Sequence, residues 1–263
     1  MKNTIALLTI TLLLVACTPM QPALSISDNQ KIEPLPVKGR QGLLINQKLA
    51  FADYQTSKVK RSWTKGGNSR VGLTYGNPNN IIYTDLISKE YIDRKQTFSF
   101  QMADSHNNYS DVYAATEFNA ENLLLGNNPN SIVNILEDIF GNNDFSKNVM
   151  YLQVFLNNET QPWELLLDNQ KAQLNKKYVG FFAKDNKNFY NLKPIDKIAT
   201  KNGPKSTLMG SIGFEITNPN NQVVAAVSLI DNGLVYLLTD QPEERFLLAN
   251  LCAALLLQQN IED

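Results

Sequence analysis

The stretch that most limits how this chain can fold lies near its end. Phe246-Leu247-Leu248-Ala249-Asn250-Leu251-Cys252-Ala253-Ala254-Leu255-Leu256-Leu257 is apolar except at Asn250. Such a run is helix-forming, and a helix that is apolar all round has to be enclosed by its own protein or by lipid. Twelve residues rise about 18 Å, well short of a hydrocarbon core of roughly 30 Å. The stretch is therefore predicted to sit inside the protein. Asp240 followed by Glu243 reads as a capping box, with Pro242 in the first turn.

The enclosure has to come from strands, because period-two alternation dominates the rest of the chain. At 97–102, Phe98, Phe100 and Met102 are predicted to face inward and Thr97, Ser99 and Gln101 to face water. Val112, Ala114, Thr116 and Phe118 continue that period. Further strands are expected at 42–45, 48–63, 70–75, 81–92, 149–156, 163–167, 178–183, 189–192, 210–217, 222–230 and 234–239. Asn, Asp, Pro and Gly clusters punctuate them, among them Asp185-Asn186-Lys187-Asn188, Asn218-Pro219-Asn220-Asn221, and an Asn232-Gly233 pair suited to a type I′ hairpin. One short amphipathic helix is predicted at 131–140, ended by Gly141. The fold class that follows is mainly β: an antiparallel, barrel-like or sandwich sheet packed around a C-terminal apolar helix.

The beginning of the chain carries a different signal. Met1-Lys2-Asn3 is followed by an apolar run from Ile5 to Ala16 that ends Leu14-Val15-Ala16-Cys17, the order of a secretory signal. Those last four residues resemble the lipobox of bacterial lipoproteins. The resemblance implies cleavage before Cys17, acylation of Cys17 on its sulfur and its amine, and anchoring through more than one chain. Thr18 stands where an aspartate would retain an enteric lipoprotein at the inner membrane, so the resemblance implies the outer membrane, on either its periplasmic or its surface side. Residues 1–16 are then the signal peptide, 17–38 a lipidated, proline-broken tether, and 39–263 one β-rich domain. Removing 16 of 263 residues leaves 247, and losing Lys2 takes the formal charge from −1 to −2. That balance gives no electrostatic footprint for nucleic acid. With Cys17 acylated, Cys252 has no partner for a disulfide and is expected to pack as a small apolar residue.

The final third also resembles the tubby-like barrels, including the LURP-one type, on Gly213-Phe214-Glu215-Ile216, the Asn-Pro turn, Val223-Val224-Ala225-Ala226-Val227 and the helix 246–257. The match covers about a fifth of the chain. It implies strands wrapping a buried helix, and a membrane-facing scaffold instead of an enzyme. The basic site by which tubby members bind phosphoinositides has no matching positions here.

Residues with chemical potential are few. The single histidine, His106, sits in Asp104-Ser105-His106-Asn107-Asn108, a loop sequence; as a catalytic base it would need a serine and an aspartate placed by the fold. Gly210-Ser211-Ile212-Gly213 lacks the spacing of a nucleophile elbow. One histidine and one enclosed cysteine cannot make a zinc site, and Asn142-Asn143-Asp144 reads as a turn more readily than as a calcium loop. Glu137 with Asp138, or Glu164 on a wet strand face beside Trp163, could form a hydrolase's carboxylate pair. The densest basic run gives the candidate ligand site: Lys58 and Lys60 on one strand face, Arg61 and Trp63 on the other, placed to grip lipid phosphates or acidic polymers. The same lysines would also guard an edge strand. No catalytic residues, metal or cofactor are assigned. The expected role is a non-catalytic envelope lipoprotein that binds a partner or supports assembly. The alternatives are a carrier or sensor of an amphipathic ligand, with its cavity beside Asn250 and Cys252, and an envelope hydrolase. The membrane, reached through the N-terminal lipid, an envelope protein and an amphipathic ligand are the partners this allows.

Overall fold

The computed structural model describes residues 20–26, 32–41, 46–63, 94–118, 149–208 and 210–258. Cys17 with the rest of the lipobox, the predicted strands at 42–45, 70–75 and 81–92, and the predicted helix at 131–140 lie outside them. The strands are β1 (Leu35–Pro36), β2 (Ala50–Phe51), β3 (Tyr54–Thr56), β4 (Lys60–Trp63), β5 (Arg94–Ala103), β6 (Tyr109–Phe118), β7 (Val149–Leu156), β8 (Trp163–Asp168), β9 (Gly180–Ala183), β10 (Phe189–Pro194), β11 (Lys197–Ile198), β12 (Lys205–Ser206), β13 (Gly213–Thr217), β14 (Val223–Ser228) and β15 (Leu234–Leu237). Two helices accompany them among the described residues, α1 (Asn169–Leu174) and α2 (Pro242–Leu257).

All strand pairings among the described residues are antiparallel. The main sheet runs β1-β15-β14-β13-β10-β9-β8-β7-β6-β5-β3-β2, and β4 pairs with β5 beyond β3. Its two edges meet. Val37 donates to Gly233 O at 3.2 Å on the β15 side, while Lys38 and Ala50 exchange backbone bonds of 2.9 and 3.0 Å on the β2 side. The sheet is therefore a nearly closed antiparallel barrel, which removes the exposed edges that a long open sheet would carry.

The predicted alternation fills the interior. Phe98, Phe100, Met102, Val112, Ala114, Met150, Leu152, Val154, Leu165, Leu167, Phe214, Ile216, Ala225 and Val227 converge in one cluster with α2. That helix packs against β14 and β15 on one wall and β6 and β7 on another. Every residue from Phe246 to Leu257 is buried, each leucine contributing on the order of 1.5–3 kcal/mol. Asn250 is accommodated by bonding at both ends of its amide. Nδ2 donates to Phe246 O at 2.8 Å, and Oδ1 accepts from the buried Ser110 Oγ at 2.6 Å. Cys252 is fully buried with Sγ 4.0 Å from Ala226 O, and desolvation pushes its thiol well above the ordinary range.

Antiparallel register gives the barrel two distinct ends. Around the start of α2 lie the turns at 104–108, 157–162, 184–188 and 218–221, tied by a Lys184–Glu159 pair at 2.7 Å and by Tyr190 Oη donating to Glu244 Oε1 at 2.9 Å. Around its finish lie α1, the β11–β12 hairpin, the 229–233 loop and Arg40.

Several expectations need correction. The capping box does not form: Gln241 is the N-cap with no side-chain bond, Pro242 opens the helix, and the used acid is Glu244, which accepts from Thr239 Oγ1. The Asn232-Gly233 pair does not make a two-residue turn. Five residues join Ser228 to Leu234, with Asp231 and Gly233 at φ 51° and 95°, because closure there follows the Gly233–Ile230 bond. The outer sheet face is not uniformly wet either. Thr97 and Glu164 are buried, contrary to their predicted water-facing positions.

The stretch read as a tether, 17–38, is also folded in part. Gln21 O accepts from Ala199 N and Ala23 N donates to Lys197 O, both at 2.9 Å, and Ser25 N donates to the Glu215 carboxylate. Leu24 and Ile32 then cover Ile195, Ile212, Leu234 and Tyr236 on the outside of the barrel. This strap and β1 form because that outer face is itself apolar and needs covering.

Candidate functional site

The basic run at 58–63 divides as its alternation predicts, but with a different consequence. Lys58 and Lys60 are exposed, Val59 is buried and Arg61 is half-buried. Arg61 Nη2 donates to Leu257 O at 2.9 Å, and its guanidinium lies 5.2 Å from the Phe98 ring centroid. Arg61 is thus turned toward the helix finish and away from any surface ligand, so it does not join Lys58 and Lys60 in one exposed patch. For Trp63 the structure gives the backbone register, opposite Gln96.

The reason is electrostatic. The last carbonyls of a helix have no internal partners and carry the negative end of its dipole. Here that end is enclosed, and the last turn of α2 holds no basic residue of its own. Distant cations supply what is missing. Arg40 Nε donates to Leu256 O at 2.9 Å, and its Nη1 donates to Leu229 O at 2.9 Å and Asp231 O at 3.0 Å. Burial lowers the pKa of both arginines. Sequence reasoning did not single out Arg40. The available signal was a buried helix ending without glycine, asparagine or a cation of its own.

Beside this arginine is a cleft of about 340 Å³, in which Arg40, Asn169, Gln173, Ser211 and Gln258 stand over Phe214 and Leu229. Its polar groups mostly serve one another. Gln173 Oε1 accepts from Ser211 N at 2.9 Å, its Nε2 donates to Ser211 O at 3.3 Å, and Ser211 Oγ donates to Gly213 O at 2.8 Å. A hydroxyl committed to a backbone carbonyl, with no histidine or carboxylate among the described residues that line the cleft, is not poised as a nucleophile.

His106 sits on the 104–108 turn, its side chain 70% exposed, with Nδ1 3.6 Å from Asp53 Oδ2 and 3.9 Å from Asp104 Oδ2. A serine, a histidine and two aspartates do meet there, but in the wrong order for a triad. Ser105 Oγ donates to Asp53 Oδ2 at 2.7 Å, whereas its separation from His106 Nδ1 is 3.4 Å. Asp104 Oδ1 builds the turn by accepting from the backbone of His106 and Asn108 at 2.8 and 2.9 Å.

Glu164 is held on the outer face of β7 and β8. Its Oε1 accepts from Tyr151 Oη and, at 2.8 Å, from Gln153 Nε2, which also donates to the Tyr151 oxygen at 2.8 Å. Burial, then the Glu164 charge, push the Tyr151 phenol well up. The cluster satisfies a buried carboxylate. Neither Tyr151 nor Gln153 is the second acid that glycoside hydrolysis needs. Glu137, Asp138 and the 142–144 segment lie outside the described residues. Among the described residues no cluster of three His, Cys, Asp or Glu is placed to hold a metal, and no helix is long and apolar enough to cross a membrane.

Comparison of the chain with protein-family models, with curated proteins and with solved structures gave no match.

Proposed function

We propose that the chain is a bacterial envelope lipoprotein, acylated at Cys17 and held at the outer membrane, whose barrel acts without catalysis by binding a partner or supporting envelope assembly. The observation that carries this reading is the occupied interior. The space a carrier or an enzyme would use for a ligand is taken by α2, with Asn250 bonded at both ends and the helix finish capped by Arg40 and Arg61. Kinship with the tubby-like barrels belongs to the same proposal, supported by a C-terminal helix buried in a nearly closed antiparallel sheet. It carries a scaffold role and no phosphoinositide site.

The test is the mass of the N-terminal peptide of the full chain expressed in a Gram-negative host. The expected product begins at Cys17 and carries acyl chains, and Cys17→Ser accumulates as uncleaved precursor. Cleavage elsewhere, or an unmodified Cys17, would overturn the lipoprotein reading. Carriage of a small amphipathic ligand has one feature in its favour, the cleft beside Arg40, whose volume of about 340 Å³ is within the ligand-site range. A stoichiometric amphiphile retained on gentle purification would put that reading first.

A further inference from the structure

We infer that the end of the barrel where α2 finishes is a membrane-docking face that takes anionic lipid headgroups, an inference that rests on acylation of Cys17 as proposed above. Three observations converge on it.

The first is charge. Residues 169–178 and 196–208 contain six lysines (171, 176, 177, 197, 201 and 205) against one acid, Asp196, in a chain of formal charge −1. All six are exposed. Asp196 pairs with Lys176, and Lys171 Nζ lies 3.9 Å from the buried Asp168, while Lys197, Lys201 and Lys205 ring the β11–β12 hairpin.

The second is where large apolar side chains reach solvent. Among the described residues four large side chains of this kind are exposed: Met20, Leu174 and Leu208, at 49%, 78% and 105%, all belong to this end, and Tyr109, less exposed at 37%, lies at the other. Leu174 follows Gln173, which bonds Ser211, and Leu208 follows Thr207, whose N–H donates to Asp196 O at 2.8 Å. Single leucines set among lysines are unlike a protein interface, whose core is depleted in lysine. They suit a bilayer surface, where apolar tips enter the headgroup boundary and ammonium groups meet phosphates.

The third is reach. Pro22 pairs antiparallel with Ile198, so toward the N-terminus the chain runs along β11 to the hairpin tip at Lys201. Gln21 is fixed by Ala199 N, and with three residues between them it stands four chain steps from Cys17, a span of at most about 14 Å. Headgroups add roughly 5–8 Å to each side of the hydrocarbon core, and charges act over about 8 Å at physiological salt. An acyl-anchored Cys17 therefore leaves this hairpin within range of the headgroup phosphates. The 184–188 turn, at the opposite end of β10, is beyond it.

The test uses the full lipidated protein with a single introduced cysteine, Leu208→Cys or Lys201→Cys at the docking end or Asn186→Cys at the other, labelled with an environment-sensitive dye. Acylated Cys17 and buried Cys252 do not take the label. The protein is reconstituted in phosphatidylcholine vesicles with and without phosphatidylglycerol, and dye quenching by a nitroxide on the acyl chains is read beside the N-terminal peptide mass. The inference predicts that labels at 208 and 201 are quenched several-fold more than the label at 186, that phosphatidylglycerol widens the difference, and that Lys197→Glu with Lys205→Glu removes that widening while Cys17 stays acylated. An acylated protein whose three labels are quenched equally would overturn the docking face alone. An unacylated protein that still shows quenching at 208 would keep the face and discard the anchor, and one that ignores vesicles would overturn both.

Discussion

The two ends of the barrel are built from the same strands and finish their chemistry in opposite ways. Where α2 starts, the turns are closed by short acidic and amide side chains. Asp185 Oδ1 accepts from the backbone of Lys187 and Asn188 at 2.8 Å each, and Asn218 Oδ1 from Asn220 and Gln222 at 3.0 Å each. Glu243 and Glu244 occupy the first helical turn. Where α2 finishes, guanidinium groups reach in to the last carbonyls and lysines crowd the outside. The difference follows from helix direction. A helix enclosed in a barrel presents its positive end at one mouth and its negative end at the other, which favours acids at the first and cations at the second; Arg245, in the first turn, is committed to the carbonyls of Leu237 and Thr239. The charge asymmetry on which the proposed docking face rests thus continues outward from an electrostatic need of its core.

The most severe way to break the comparison is to remove what both ends share. Leu251→Asp places an unpaired charge in a fully buried position and should cost about 3–5 kcal/mol, enough to prevent folding; near-native thermal stability of that variant would show that the helix is not enclosed. A smaller effect should separate the ends. Arg40→Met leaves three carbonyls without their donor and should cost about 2 kcal/mol, while Glu244→Gln, which keeps an acceptor for Tyr190 and Thr239, should cost under about 1 kcal/mol. Urea midpoints of the two variants check this, and equal losses would remove the proposed asymmetry.

The smallest effect is silent at neutral pH. Burial of Tyr236 under the N-terminal strap pushes its phenol up to about 12. The folded value lies above the unfolded value of about 10, so its contribution to stability is complete below pH of about 10 and is lost as pH rises through about 12. Proteolysis at rising pH should therefore cut at residues 20–26 before α2 becomes accessible.

Much of this architecture was legible before the fold was known. A run with one polar residue in twelve could only be an enclosed helix, and Phe98, Phe100 and Met102 announced their strand face. The Asx turns at 185–188 and 218–221 also form where their side chains predict. What the sequence hid were contacts between distant residues. Arg40 meets Leu256 across 216 positions, and nothing local to either marks the pairing. The strap was hidden by its own prolines, since Pro22 and Pro36 suggest a loop yet occupy a bridge and a barrel edge, where a missing N–H can be tolerated. Glu164 misled because a lone acid in an alternating strand reads as solvent-facing until Tyr151 and Gln153 are seen to bond it. Of the candidate ligand site, the exposure of Lys58 and Lys60 was predictable, and the diversion of Arg61 was not.

Amide hydrogen exchange on the lipidated full chain, compared between phosphatidylglycerol-containing vesicles and detergent, tests the account most directly. It predicts that 246–257 exchanges most slowly in both settings, that 196–208 slows on vesicles, and that 184–188 and 218–221 do not change. Rapid exchange in 246–257, or equal slowing at both ends of the barrel, would contradict it.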